Sequence, residues 1–220
     1  TDLIFKETIK KHQVNLVLGQ MAEGICVPRF DNHCVKNLKD QEIVKGLPDF
    51  LPGLSIEQVK LPTTFLPEKL LLTTSLSPIT NLKLFSEQAT HAGFLNAEMD
   101  SDGIIRRAAL VYHINNFFYP TLALKMAAVG LKEDIYLELS PQHGLETIGL
   151  AGANNLKRPL FTNVFSEMEL NFMGPGNHFP VVSALDVINR EAKAELFKDA
   201  YILIGITATG VYDLRNFPYE

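Results

Sequence analysis

The chain has 220 residues, enough for one sizeable core or two small ones. Hydrophobic residues make up 46% and charged residues 20%, a balance that excludes a disordered chain. A formal net charge of -5, with no Lys/Arg stripe interleaved with aromatics, excludes a dedicated nucleic-acid binder.

Taken in chain order, Asp2 to Lys11 reads as a helix, with Leu3, Ile4 and Ile9 apolar and Asp2 as N-cap. VNLVLGQ, 14–20, reads as a buried strand. Residues 21–68 carry Pro28, Pro48, Pro52, Pro62 and Pro67, which break helix and strand alike, so an irregular Pro-rich excursion is expected. One helix fits inside VKNLKDQEIVKGL. KLLLTTS, 69–75, predicts a strand, and ITNLKLFSEQATHAG predicts a helix stopped at Gly93. GFLNA is then a short strand, MDSDG a turn, and IIRRAALVYHI one long strand. Asn115 and Asn116 make a hairpin-type turn into FFY. Pro120 opens the helix TLALKMAAVGL, with Gly130 near its end.

DIYLELS, GLETIGL, NLKRPLFTN and SEMELNF read as four short strands in a meander. GPG at 174–176 is a loop. FPVVSALDVINR leads into a helix, with Ser183 as N-cap and Asp186 in the first turn. YILIGI, 201–206, reads as a fully buried strand. The expected fold is α/β: a mixed β-sheet flanked by helices, with a hairpin and meander region, rather than a doubly wound sheet.

Cys26 and Cys34 have seven residues between them. A disulfide closing that loop and two unpaired thiols both remain open. A metal site on Cys26, His33 and Cys34 lacks a fourth ligand and a Cys-x2-Cys knuckle, so no metal is expected.

Two stretches invite a chemical reading. Asp100, Asp102 and Gly103 resemble part of a calcium loop, but the closing Glu is absent. The stronger reading is a turn: Asp caps it, Gly103 supplies a positive φ, and Arg106 and Arg107 point to opposite faces of the following strand. One of those arginines is expected to fold back on Asp100 or Asp102 as a clamp. In ITATGVYD, Gly205 ends a strand, and backbone amides around Thr207, Thr209 and Gly210, with Asp213 beyond, can cradle an anion. The P-loop lysine and the dinucleotide fingerprint are both missing, so a turn shaping the sheet edge is the plainer reading. There is no G-x-S-x-G, no paired His spacing and no conspicuous carboxylate pair, so no catalytic residue and no cofactor are expected.

HAGFLNAEMDSDGIIRRAAL, FFYPTLALKMA, ELNFMGPGNHFPVVSALDVIN and KDAYILIGITATGVYDLRNFP occur in that order, and together they resemble the CHASE2 family. That resemblance implies an extracytoplasmic (periplasmic) sensory domain of a bacterial transmembrane receptor, spanning 1–220 as a single domain. It implies an unidentified small-molecule or environmental signal, a membrane reached through segments outside this stretch, and a homodimer as one mode of action. It also implies an output such as a nucleotide cyclase or a kinase. The family's recurrent positions fall on Asp100, Asp102, Gly103, Arg106, Gly205, Thr207, Gly210 and Asp213. We read Asp100, Asp102, Gly103, Arg107 and Gly205 as structural corners. Thr207, Thr209, Gly210, Asp213 and Arg106 are the candidate ligand edge. The abrupt ends, TDLIF and NFPYE, and the lack of the family's upstream strands suggest a fragment of a longer receptor. Alternatives are an α/β hydrolase or transferase using the 205–213 turn as an anion cradle, and a structural protein-interaction domain.

Overall fold

The computed structural model describes residues 16–26, 56, 58–60, 70–79, 81–86, 89, 91–114, 117–154, 156–174, 178–206 and 218. The expected N-terminal helix, the helix within 35–47 and Cys34 lie outside the described residues. The chain divides into two compact units, residues 1–97 with 107–169, and residues 98–106 with 170–220.

The first unit holds a five-stranded mixed sheet. Its strands are β1 (Val17–Cys26), β3 (Thr73–Ile79), β4 (His91–Phe94), β6 (Val111–Ile114) and β7 (Phe117–Pro120), in the order β4-β1-β3-β6-β7. β1 runs parallel to β4 and antiparallel to β3, and β6 and β7 form an antiparallel pair with Ile114 opposite Phe117. A parallel bridge from Phe94 to Thr121, the residue after β7, links the two ends of the sheet, so the strands curl toward closure. Curling gives the sheet an inner and an outer face, and alternation along each strand decides which residues meet where.

The inner face is aromatic. Phe94, Tyr112, Tyr119, Ile114 and Ala109 form one buried cluster. The Phe94 ring lies 5.2 Å from Tyr112 and 6.0 Å edge-on to Tyr119, an arrangement that contributes about 1 kcal/mol per pair beyond area burial. One residue along, Val111 and Phe118 point the other way and join the larger core with Leu124, Leu137 and Ile148. β6 and β7 are therefore buried on both faces.

A second, four-stranded sheet has the order β10-β9-β8-β2, made of β2 (Gln58–Lys60), β8 (Asp134–Ser140), β9 (Gly144–Ala151) and β10 (Lys157–Leu160). β8, β9 and β10 form an antiparallel meander of three of the four expected strands, the fourth (Glu167–Glu169) pairing instead with Arg107–Ala109, and β2 adds in parallel to β8. Helix α2 (Leu122–Leu131) follows Pro120 directly and buries Leu124 and Ala128. It ends where Lys132 takes a left-handed φ of 56°. A two-stranded pair, β5 (Arg107–Ala109) with β11 (Glu167–Glu169), completes the unit.

Three expectations for the first unit and the strand leading into it need correction. Helices do not flank a single sheet: the regular elements among the described residues are mostly strands, in three sheets, and α2 alone among their helices exceeds two turns. The helix expected over 79–93 reduces to one turn, α1 (Lys83–Ser86), because the chain re-enters the sheet at His91 and places Gly93 inside a strand. The long strand expected over 104–114 breaks at Leu110. Arg107–Ala109 pairs with β11, whereas Val111–Ile114 pairs with β3 and β7. Leu110 serves both neighbours, its N–H donating to Ser166 O at 2.9 Å and its carbonyl accepting from Thr121 N at 2.9 Å.

The second unit contains little regular structure among the described residues. α3 (Ala184–Ile188) is capped as the sequence indicates, the Ser183 hydroxyl accepting from Leu185 N at 3.2 Å. A 3-10 turn covers Ala194–Phe197. YILIGI is not a buried strand here: residues 201–206 have no regular structure, and Ile204 is 95% exposed. An apolar run signals what the chain can bury, but it does not supply the neighbour that buries it.

Candidate functional site

The acidic corner in the second unit is built by its own short sequence. Gly103 adopts a φ of +81°, a left-handed conformation that costs glycine little and any other residue strain. That reversal lets Gly103 N donate to Asp100 O at 2.9 Å and Asp100 N donate to Ile104 O at 2.9 Å. The Asp102 carboxylate accepts from Ile104 N at 3.1 Å, an Asx-type bond that fixes the turn.

Arg106 then folds back over the turn. One guanidinium nitrogen donates to Asp100 at 3.1 Å and to Asp102 at 3.0 Å, and the other donates to Asp102 at 2.8 Å. The planar fork of Arg matches a carboxylate edge-on, which a lysine ammonium does not. The hydrogen bonds from Arg106 and Ile104 hold the Asp102 carboxyl down at about 2, and the two carboxylates push the Arg106 guanidinium up. Asp102 and Arg106 are half exposed, at 50% and 40%, so water screens the pair and the corner acts through geometry more than through energy.

The candidate residues thus fall into separate groups. Asp100, Asp102, Gly103 and Arg106 come together. Arg107 begins β5, opposite Glu169 in the ladder, and so belongs to the first unit rather than to the corner. Gly205 lies in the exposed segment, with open space where a side chain would begin. Thr207, Thr209, Gly210 and Asp213 lie outside the described residues, as does the Cys26–Cys34 pairing through Cys34.

In the first unit a different polar constellation appears, one the sequence reading did not single out. Gln20 and Tyr119 are 4% and 2% exposed, yet the Gln20 amide nitrogen and the Tyr119 hydroxyl have no hydrogen-bond partner among the described residues. Burial pushes the Tyr119 phenol up to about 12. The only signal in the sequence is a glutamine ending the apolar run LVLGQ, and alternation alone does not say which face it takes. His113, on β6, stacks on Phe118 at 4.9 Å, and burial lowers it to about 4. Among the described residues, no group of three or more His, Cys, Asp or Glu is placed to hold a metal, and no helix is long and apolar enough to cross a membrane.

The first unit offers a curled sheet with a buried aromatic face, and the second offers a corner whose carboxylates accept from one arginine. Among known proteins, the CHASE2 domain matches residues 1–220, and the chain belongs to the CHASE2 family. CHASE2 domains are extracytoplasmic, non-catalytic sensory domains found in receptors. No curated protein and no solved structure matches the chain.

Proposed function

We propose that this chain is the periplasmic input module of a bacterial transmembrane receptor, governing a nucleotide cyclase or kinase output. Membership of the CHASE2 family across residues 1–220 is the observation that carries this reading. At the acidic corner Arg106 donates to both Asp100 and Asp102, which agrees with the reading of Asp100, Asp102 and Gly103 as a structural corner. Thr207, Thr209, Gly210 and Asp213 enter as a candidate ligand edge, with Arg106 held in reserve as a guanidinium that an anion has to win from Asp102. The module acts as one domain, as a homodimer, and reaches the membrane through segments beyond this stretch. A signal molecule shifts the output only by binding two states of the module with different affinity.

Two measurements on the parent protein test this. Alkaline phosphatase inserted after Glu220 is expected to be active, since that enzyme folds only outside the cytoplasm; an inactive fusion overturns the location. Replacing residues 1–220 with an unrelated folded domain is expected to change cyclic-nucleotide formation or autophosphorylation. Output identical to that of the parent overturns the input role.

A further inference from the structure

Two of the buried side-chain atoms that lack a hydrogen-bond partner among the described residues, Gln20 Nε2 and Tyr119 Oη, belong to the sheet face that carries Phe94. Gln20 stands opposite Phe94 in the parallel ladder between β1 and β4, so the two side chains share a face. Tyr119 lies on β7, which meets β4 through the Phe94–Thr121 bridge, and its ring is edge-on to Phe94 at 6.0 Å. The neighbouring Tyr112 is in a different state, because its hydroxyl donates to Asn96 O at 3.3 Å. A buried donor left without an acceptor loses its hydration and gains nothing in exchange, which is why folded proteins rarely keep one. Here two remain next to the same ring.

We infer that this inner face is a binding site for a small uncharged molecule with a carbonyl-type acceptor on a flat apolar body. The acceptor takes the Gln20 amide N–H and the Tyr119 O–H. The body lies against the rings of Phe94 and Tyr112. Neutrality follows from the surroundings: the cluster is made of Phe94, Ala109, Tyr112, Ile114 and Tyr119, which offer no charge to balance an anion. The raised Tyr119 phenol points the same way, since the site disfavours a negative oxygen. This deepens the sensory reading by naming a ligand class for it, and it rests on that reading only for its biological meaning.

Benzamide, a flat neutral amide, is the probe, with benzoate as its charged counterpart. Unfolding of the 220-residue chain is followed by circular dichroism. At about ten times its dissociation constant, benzamide is expected to raise Tm by about 4 °C. Benzoate is expected to raise it less. Tyr119→Phe removes only the unmatched hydroxyl, so the unliganded Tm is expected to stay level or rise while the benzamide shift disappears. Gln20→Met tests the other donor in the same way. The inference is overturned by no benzamide shift, by an equal shift with benzoate, or by a shift that survives both substitutions. It is also overturned if Tyr119→Phe lowers the unliganded Tm, because the hydroxyl then has a permanent partner such as an internal water. These readouts concern binding by the chain itself, so they stand apart from the location and output measurements on the parent receptor.

Discussion

Gly93 and Leu122 approach so closely that a methyl group on residue 93 would lie 2.5 Å from both the backbone nitrogen and the Cα of Leu122. The first turn of α2 therefore rests directly on β4. Backbone cannot swing aside as a side chain tip can. Gly93→Ala is expected to destabilise the chain by about 3 kcal/mol. The check is urea unfolding, where the midpoint falls with an unchanged slope if the defect is confined to packing. A midpoint equal to that of the parent chain would show that β4 and α2 are not so closely seated.

Gly103 illustrates the other use of glycine. Nothing lies within 4 Å of the position a side chain would take, but φ is +81°. Gly103→Ala is expected to cost about 1 kcal/mol from backbone strain alone, and Gly103→Asn less, since Asn tolerates the left-handed region. Comparing the two variants by thermal unfolding separates strain from crowding, because the larger side chain is expected to be the milder change.

The Asp102–Arg106 pair predicts a particular acid response. The folded carboxyl sits at about 2, below its ordinary value of 3.8, so its contribution is complete above 3.8 and is lost as pH falls through about 2. NMR titration of the Asp102 carboxyl is expected to show that low midpoint, and Arg106→Lys is expected to move it back toward 3.8. Because both side chains are half exposed, Asp102→Ala is expected to lower Tm by only about 2 °C.

His113 responds in a different window. Its folded value of about 4 lies below the ordinary 6.5, so the unfolded chain binds the extra proton first. Stability from keeping this ring neutral is complete above pH 6.5 and declines as pH falls toward 4, by about 3 kcal/mol in all. His113→Phe is expected to flatten the stability profile between pH 6.5 and 4. A profile of equal slope in the variant assigns that dependence to other groups.

Much of the first unit can be read from local signals. The strand pair 134–140 and 144–151 and the Pro120 helix start carry their own markers in the sequence, as does the Ser183 cap in the second unit. The acidic corner was legible too, because Asp, Gly and Arg within seven residues have few ways to satisfy one another. What escaped depends on partners far away in the chain. Leu110 looks like any residue of a long strand, and only the separate pairings of 107–109 and 111–114 break it there. LKLF has helical spacing, yet the ladder from Val17 to Gln20 draws His91–Phe94 into the sheet. Gln20 and Tyr119 became notable only when no partner met them, a property that one position in a sequence cannot announce.

The strand break at Leu110 makes one residue a junction between two neighbours. Its amide is tied to Ser166, itself in a left-handed φ of 62° and wholly buried, and its carbonyl is tied to the residue that launches α2. Two backbone hydrogen bonds through the single residue Leu110 thus join the 166 corner to the head of that helix, positions 45 residues apart in sequence.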